Sequence, residues 1–176
     1  MNEDQLKAVV RKIISDTQSQ SNSTSPAAKK PEIKDSPNDA MFDRHKMERV
    51  IDAAVDKANE IGIGVTIAIM KSDQVLQMSY HMPNALLVSS TLAPKKAWSA
   101  LAMKEPTKDI SPDIQPGKGL YQMETMLDGR LATFAGGIPL VIDGQMVGAI
   151  GVSGGLVEQD EAVCEAAVAA FLKESK

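Results

Sequence analysis

The stretch IPLVIDGQMVGAIGV, residues 138–152, decides the fold. It holds two apolar, β-branched runs, IPLVI (138–142) and QMVGAIGV (145–152), split by Asp143-Gly144. Asp-Gly between two such runs is a strong signal for a tight hairpin. LATFA (131–135), just upstream, reads as a further strand. Downstream, glycines at 154 and 155 lead into a helix from about Val157 to Lys173.

The same reading extends towards the N-terminus. VTIAIM (65–70) and VLQMSY (75–80) flank the polar turn Lys71-Ser72-Asp73-Gln74, a second hairpin. Before it, Met47, Val50, Ile51, Ala54, Val55, Ala58 and Ile61 form an apolar helical stripe, closed by Gly62 as a C-cap. Residues 86–104 are helical, with Pro94 expected to start or kink the helix. Residues 105–120 form a Pro/Gly loop long enough to suspect a binding role. The order α-β-β-α-β-β-β-α, dominated by hairpins, implies an α/β (α+β) domain over 41–176. Its expected core is a five-stranded antiparallel sheet flanked by helices.

Two segments precede this domain. In residues 1–16 the apolar side chains are Leu6, Val9, Val10, Ile13 and Ile14, one stripe on an amphipathic helix. Residues 17–40 are rich in Ser, Gln, Pro and Lys and read as a disordered linker. An isolated helix of about 15 residues is marginal in water, so the stripe needs a partner. The expected role is docking on another protein; packing on its own domain or a sister subunit is the plainer alternative.

Composition narrows the function. The net charge of -4 argues against a nucleic-acid binder. No apolar run approaches the roughly 20 residues of a membrane-spanning helix, and the N-terminus lacks the apolar core of a secretory signal. One Cys in the chain excludes an internal disulfide, and the whole fits a cytoplasmic protein. Aromatic residues make up only 3%, so the core is built from Ala, Val, Ile, Leu and the ten Met.

Chemistry-bearing residues are sparse. Gly148, Gly151, Gly154 and Gly155 fit neither a dinucleotide nor a Walker A spacing, and the acidic turn after them repels phosphate. Glu158 and Glu161 share one helix turn, a weak candidate for a hard cation and otherwise a solvated acidic turn. Cys164 sits among Ala and Val as a core filler. His45 falls on a polar helix face and His81 at a strand end; both are candidate ligands. With two His and one Cys, neither a structural zinc site nor a nucleophile–histidine set assembles. The missing catalytic constellation points to a binding module.

GRLATFAGGIPLVIDGQMVGAIGVSGGLVEQDEAV (129–163) resembles the C-terminal block of the GlcG/HbpS family, also found as the C-terminal domain of PduO-type proteins. ERVIDAAVDKANEIGIGVTIAIMKSDQVL (48–76), APKKAWSALAM (93–103) and PGKGLY (116–121) agree with it in order and spacing. The resemblance implies a profilin-like fold, a homo-oligomer, and haem or a related tetrapyrrole bound near subunit interfaces. Family members often read RMDGA where this chain has His81-Met82-Pro83-Asn84-Ala85, so an imidazole replaces a guanidinium. No counterpart of the PduO adenosyltransferase domain precedes the module, so cobalamin adenosylation is not expected. The helix and tether resemble the encapsulation peptides of bacterial microcompartment cargo, which implies a shell or cargo partner and a place in the compartment lumen.

The resulting expectation is a non-catalytic haem-binding accessory protein, with His45 or His81 offering nitrogen to iron in a Met-rich cleft between subunits. Two alternatives stay open. One is an enzyme acting on a small metabolite or a corrinoid, through convergent groups such as Lys96, Tyr121 and Glu124. The other is a structural oligomer without a ligand.

Overall fold

The computed structural model describes residues 39–175. The docking helix expected over 1–16 and nearly all of the expected linker lie outside them. Asp39 and Ala40, expected to end the linker, already belong to a 3-10 turn, Asp39–Phe42, which sends Phe42 into the core.

Helix α1 (Arg44–Ile61) starts on Asp43, whose carboxylate accepts from the His45 and Lys46 amides. It ends on Gly62 in the left-handed region (φ 82°), as the stripe predicts. Strands β1 (Thr66–Lys71) and β2 (Leu76–His81) form the first hairpin. Helix α2 (Ser89–Met103) follows, then the short helices α3 (Thr107–Ile110) and α4 (Met123–Met126) within the long connection. Strands β3 (Gly137–Ile142) and β4 (Gln145–Ser153) turn at Asp143-Gly144, both at positive φ (49° and 77°), as a tight hairpin of this type requires. Helix α5 (Val157–Glu174) closes the domain.

The sheet has the order β2-β1-β4-β3, antiparallel at every pairing. It contains four strands, not the five expected. LATFA is the difference. Leu131, Ala132 and Thr133 are buried, which gives the segment its strand-like composition, yet they join no ladder. Side chains satisfy the backbone there instead. Ser99 Oγ accepts from the Ala132 amide at 2.8 Å, and Glu161 Oε2 from the Gly136 amide at 2.7 Å. Thr107 Oγ1 accepts from the Gly137 amide at 2.9 Å and donates to the Phe134 carbonyl at 2.9 Å. Buried backbone must be paired, but a sheet is only one way to pair it.

Helices cover both faces. Helices α1 and α5 pack with one face of β1 and β4 around Val50, Ile67, Ile69, Ile150, Val152, Val163 and Phe171. Helix α2 lies on the other face, over Met70 and Ala149, through Ala97, Ala100 and Leu101. This second layer is thin because its side chains are small. A Cβ on Gly151 would lie 2.1 Å from the Ala93 carbonyl oxygen and 2.5 Å from the Ala97 nitrogen. Helix α2 begins well before Pro94 and runs through it. The Ser90 carbonyl, deprived of its helical donor, belongs to an exposed residue where water can serve it.

One buried ion pair ties α2 to α5. Lys96 is wholly buried and donates to Asp160 Oδ2 at 2.6 Å; Asp160 Oδ1 accepts from the Gly155 amide at 2.8 Å. The Lys96 ammonium also sits 4.6 Å above the centre of the Phe134 ring. Burial lowers the Lys96 pKa and raises that of Asp160, each against the pull of its partner.

Two stability predictions follow from this packing. Gly151→Ala meets backbone on two sides and should lower stability by about 1–3 kcal/mol or more, read by chemical denaturation. Lys96→Met leaves Asp160 buried without a counter-charge and should cost about 3–5 kcal/mol. A second change, Asp160→Leu, should recover much of that. Because Asp160 titrates above its unfolded value, stability is lost as pH rises through the interval between the two. The Lys96→Met defect should therefore be larger at neutral than at mildly acidic pH.

Candidate functional site

The two histidines occupy separate places. His45 lies in the first turn of α1, exposed, with Nδ1 3.0 Å from Glu48 Oε2. Glu48 Oε1 accepts from Arg44 Nε at 2.9 Å. The hydrogen bond from His45 holds the Glu48 carboxyl below its usual pKa, against desolvation and with help from the charge of Arg44. Glu48 also lines a groove of about 350 Å³ between α1 and β2, with Ile51, Val55, Met78 and Tyr80. His45 thus stands one helical turn from an amphipathic groove.

His81 ends β2 opposite Thr66 of β1 in the hairpin register. Its Nδ1 is 2.7 Å from Thr66 Oγ1, which is 2.6 Å from Ser89 Oγ at the start of α2. Ser89 Oγ donates to the Leu86 carbonyl at 2.5 Å. Thr66 and Ser89 are buried, while the imidazole itself is exposed. Among the described residues, neither histidine Nε2 takes part in a hydrogen bond.

The enzyme-type candidates divide. Tyr121 and Glu124 share the wall of a cavity of about 590 Å³ with Ile114, Gln122, Thr125 and Met126. Thr133 Oγ1 donates to Glu124 Oε1 at 2.6 Å, which fixes that carboxylate. Lys96 is not presented with them: its ammonium is spent on Asp160 in the interior. Leu120, Met123, Met126 and Leu127 form, with Tyr121, a more apolar cavity of about 630 Å³. Sequence reasoning singled out none of these four apolar residues. Their spacing along GLYQMETML (119–127) carried a short helical signal at and just beyond the end of the 105–120 loop.

The remaining candidates are structural. Glu158 is exposed, but Glu161 is buried, with one oxygen on the Gly136 amide and the other 2.9 Å from Lys108 Nζ. The pair is therefore neither the solvated turn expected nor open to a cation. Among the described residues no group of three or more His, Cys, Asp or Glu is arranged for a metal ion. The Gly155 amide, which a phosphate would need, is taken by Asp160. Cys164 is buried against the Ile150 carbonyl, and burial holds its thiol well above the ordinary value. No helix among the described residues is long and apolar enough to cross a membrane.

Known proteins match this arrangement along the domain. The corrinoid adenosyltransferase PduO of Salmonella typhimurium LT2 is 43% identical over 127 residues, 72% of this chain and 38% of that protein. This chain therefore spans well under half the length of that relative. A crystal structure of PduOC in complex with haem is 43% identical, with a TM-score of 0.70, covering 72% of this chain and 92% of that one. The crystal structure of HbpS is 26% identical, with a TM-score of 0.64, covering 81% of this chain and 96% of that one. The family described as haem degrading protein HbpS-like matches residues 42–169. With its antiparallel sheet, its flanking helices and this match across most of its length, the chain belongs to the HbpS-like family.

Proposed function

We propose that this chain is a non-catalytic, haem-binding accessory protein that works as a homo-oligomer and travels as cargo of a bacterial microcompartment. One observation carries the haem reading. Each histidine has its Nδ1 engaged by a neighbour of its own, Glu48 for His45 and Thr66 for His81, while Nε2 is left over. Ligating histidines are typically oriented in this way, with one ring nitrogen held by protein and the other given to metal. The similarity to the haem-complexed PduOC adds to it.

The donor set fits an iron tetrapyrrole better than a bare cation. Nitrogen suits iron, and apolar surface suits the macrocycle. Both lie on the outside of the domain, near the groove at Ile51, Val55, Met78 and Tyr80 for His45. An outer site of this kind is completed by a second subunit, which would cover the exposed Leu76 and Tyr80 of β2. When bound, haem supplies an iron centre that moves between ferrous and ferric states. The chain's part is to hold it, orient it and shield it, in support of redox or cofactor maintenance for an encapsulated enzyme.

Haemin added to the purified protein should shift the Soret band with saturation, and the double variant His45→Ala/His81→Ala should lose the shift. A wild-type protein that leaves the haemin spectrum unchanged would rule the reading out. The cargo reading rests on the apolar stripe Leu6, Val9, Val10, Ile13 and Ile14. A fluorescent reporter carrying residues 1–20 should become punctate in cells that assemble shells, and Ile13→Asp should disperse it. Diffuse fluorescence from the unaltered fusion would count against a shell or cargo partner.

A further inference from the structure

Both hairpin turns and the C-terminal end of α2 border one cavity of about 570 Å³ at an end of the sheet. It shares no lining residue with the groove at Glu48 or with the two cavities of the long connection. Ser72 and Gln74 come to it from the first turn and Lys104 from the helix end, while Leu101, Val141 and Met146 supply apolar wall. Two of these residues stand where glycine would be easier. Gln74 (φ 68°) and Lys104 (φ 62°) are both in the left-handed region. The fold thus carries two long polar side chains at backbone positions that disfavour any side chain, and both line the same cavity.

Gln74 is a preset donor. Its Oε1 accepts from Trp98 Nε1 at 3.0 Å and from the Arg130 guanidinium at 3.4 Å. An indole N–H and a guanidinium can only donate, so the amide cannot turn over and its NH2 group is left over. Arg130 is held in turn, 3.9 Å from the centre of the Trp98 ring. Among the described residues, Gln74 Nε2, Ser72 Oγ and Lys104 Nζ take part in no hydrogen bond or ion pair. Asp73 and Asp143, in the same two turns, do not line the cavity, and Asp73 Oδ1 accepts from the Val75 amide.

An ammonium, an amide NH2 and a hydroxyl beside aliphatic wall suit an anion with an apolar tail. Lys104 also faces the negative end of α2, which offsets part of its charge. One cation so placed suits a carboxylate better than a phosphate dianion. We propose that this cavity binds a short-chain aliphatic monocarboxylate. Its head lies on Lys104, Gln74 Nε2 and Ser72, and its chain lies against Leu101, Val141 and Met146. The site is independent of the haem reading.

The full-length, haem-free chain serves for the test, with butyrate as the probe. Calorimetry should show saturable binding. The emission of Trp98, the one tryptophan of the chain, should change with the same midpoint, because its indole N–H ends on Gln74. Butylamine, with the same chain and the opposite charge, and inorganic phosphate should each bind about tenfold more weakly or worse. Lys104→Gly should weaken butyrate binding about tenfold while Tm holds or rises, since glycine is the easier residue at a left-handed helix end. A lysine with a merely structural role would not separate the two readouts. Gln74→Glu keeps an acceptor for Trp98 and Arg130 but sets a carboxylate against that of the ligand, and should abolish binding. Absence of saturable heat with butyrate overturns the proposal. So does binding that survives both variants, or that butylamine or phosphate equals.

Discussion

Lys96 and Asp160 meet, both buried, where three pieces of the chain converge. The ammonium comes from the middle of α2, the carboxylate from the first turn of α5, and the segment before β3 lies against both. A Cβ at Gly136 would stand 2.6 Å from the Val152 carbonyl oxygen and 3.0 Å from Lys96 Nζ, so only glycine lets the chain through (φ 107°). Neighbouring polar groups extend the junction. Glu161 holds the Gly136 amide and pairs with Lys108, and Thr107 holds Gly137. Desolvating two charges is costly, and a pair with good geometry and further hydrogen bonds offsets much of that cost. What the arrangement gives is position, since each partner is strongly penalised without the other.

Position matters because α2 works at short range. Ala93, Ala97 and Ala100 bring its backbone down onto Gly151 and Ala149, closer than larger side chains would allow. The same closeness puts Ser89, at the start of α2, within hydrogen-bond distance of Thr66 on β1. Through Thr66 it reaches His81 on the edge strand. A helix held further from the sheet would leave Thr66 without its contact to Ser89, the link that stands behind His81. The packing of the thin layer and the chemistry at its rim are one arrangement.

Much of this was legible in the residues. The α1 stripe, the Gly62 cap, both hairpins and the final helix carry signals local to a few positions, and the structure contains them. The fifth strand was illegible for a definite reason. Leu131, Ala132 and Thr133 have the burial of a strand, but the amides of Ala132, Gly136 and Gly137 go to Ser99, Glu161 and Thr107, residues far away in the chain. Lys96 misled for a similar reason: a lysine in a helix suggests a reaching cation until the partner that buries it is known. Glu161, beside it, looked solvated by its spacing and is not.

The sequence by itself determined both hairpins, the long helices, their order, the turn chemistry and the family, because each rests on local periodicity, backbone preference or a contiguous run of residues. It also named His45 and His81 as the scarce nitrogen donors of the chain. Only the tertiary structure decided which polar groups are spent on the fold and which remain for a ligand. Hydrogen bonds and ion pairs join residues 15, 23, 25 and 64 positions apart here, and no local pattern encodes such partners.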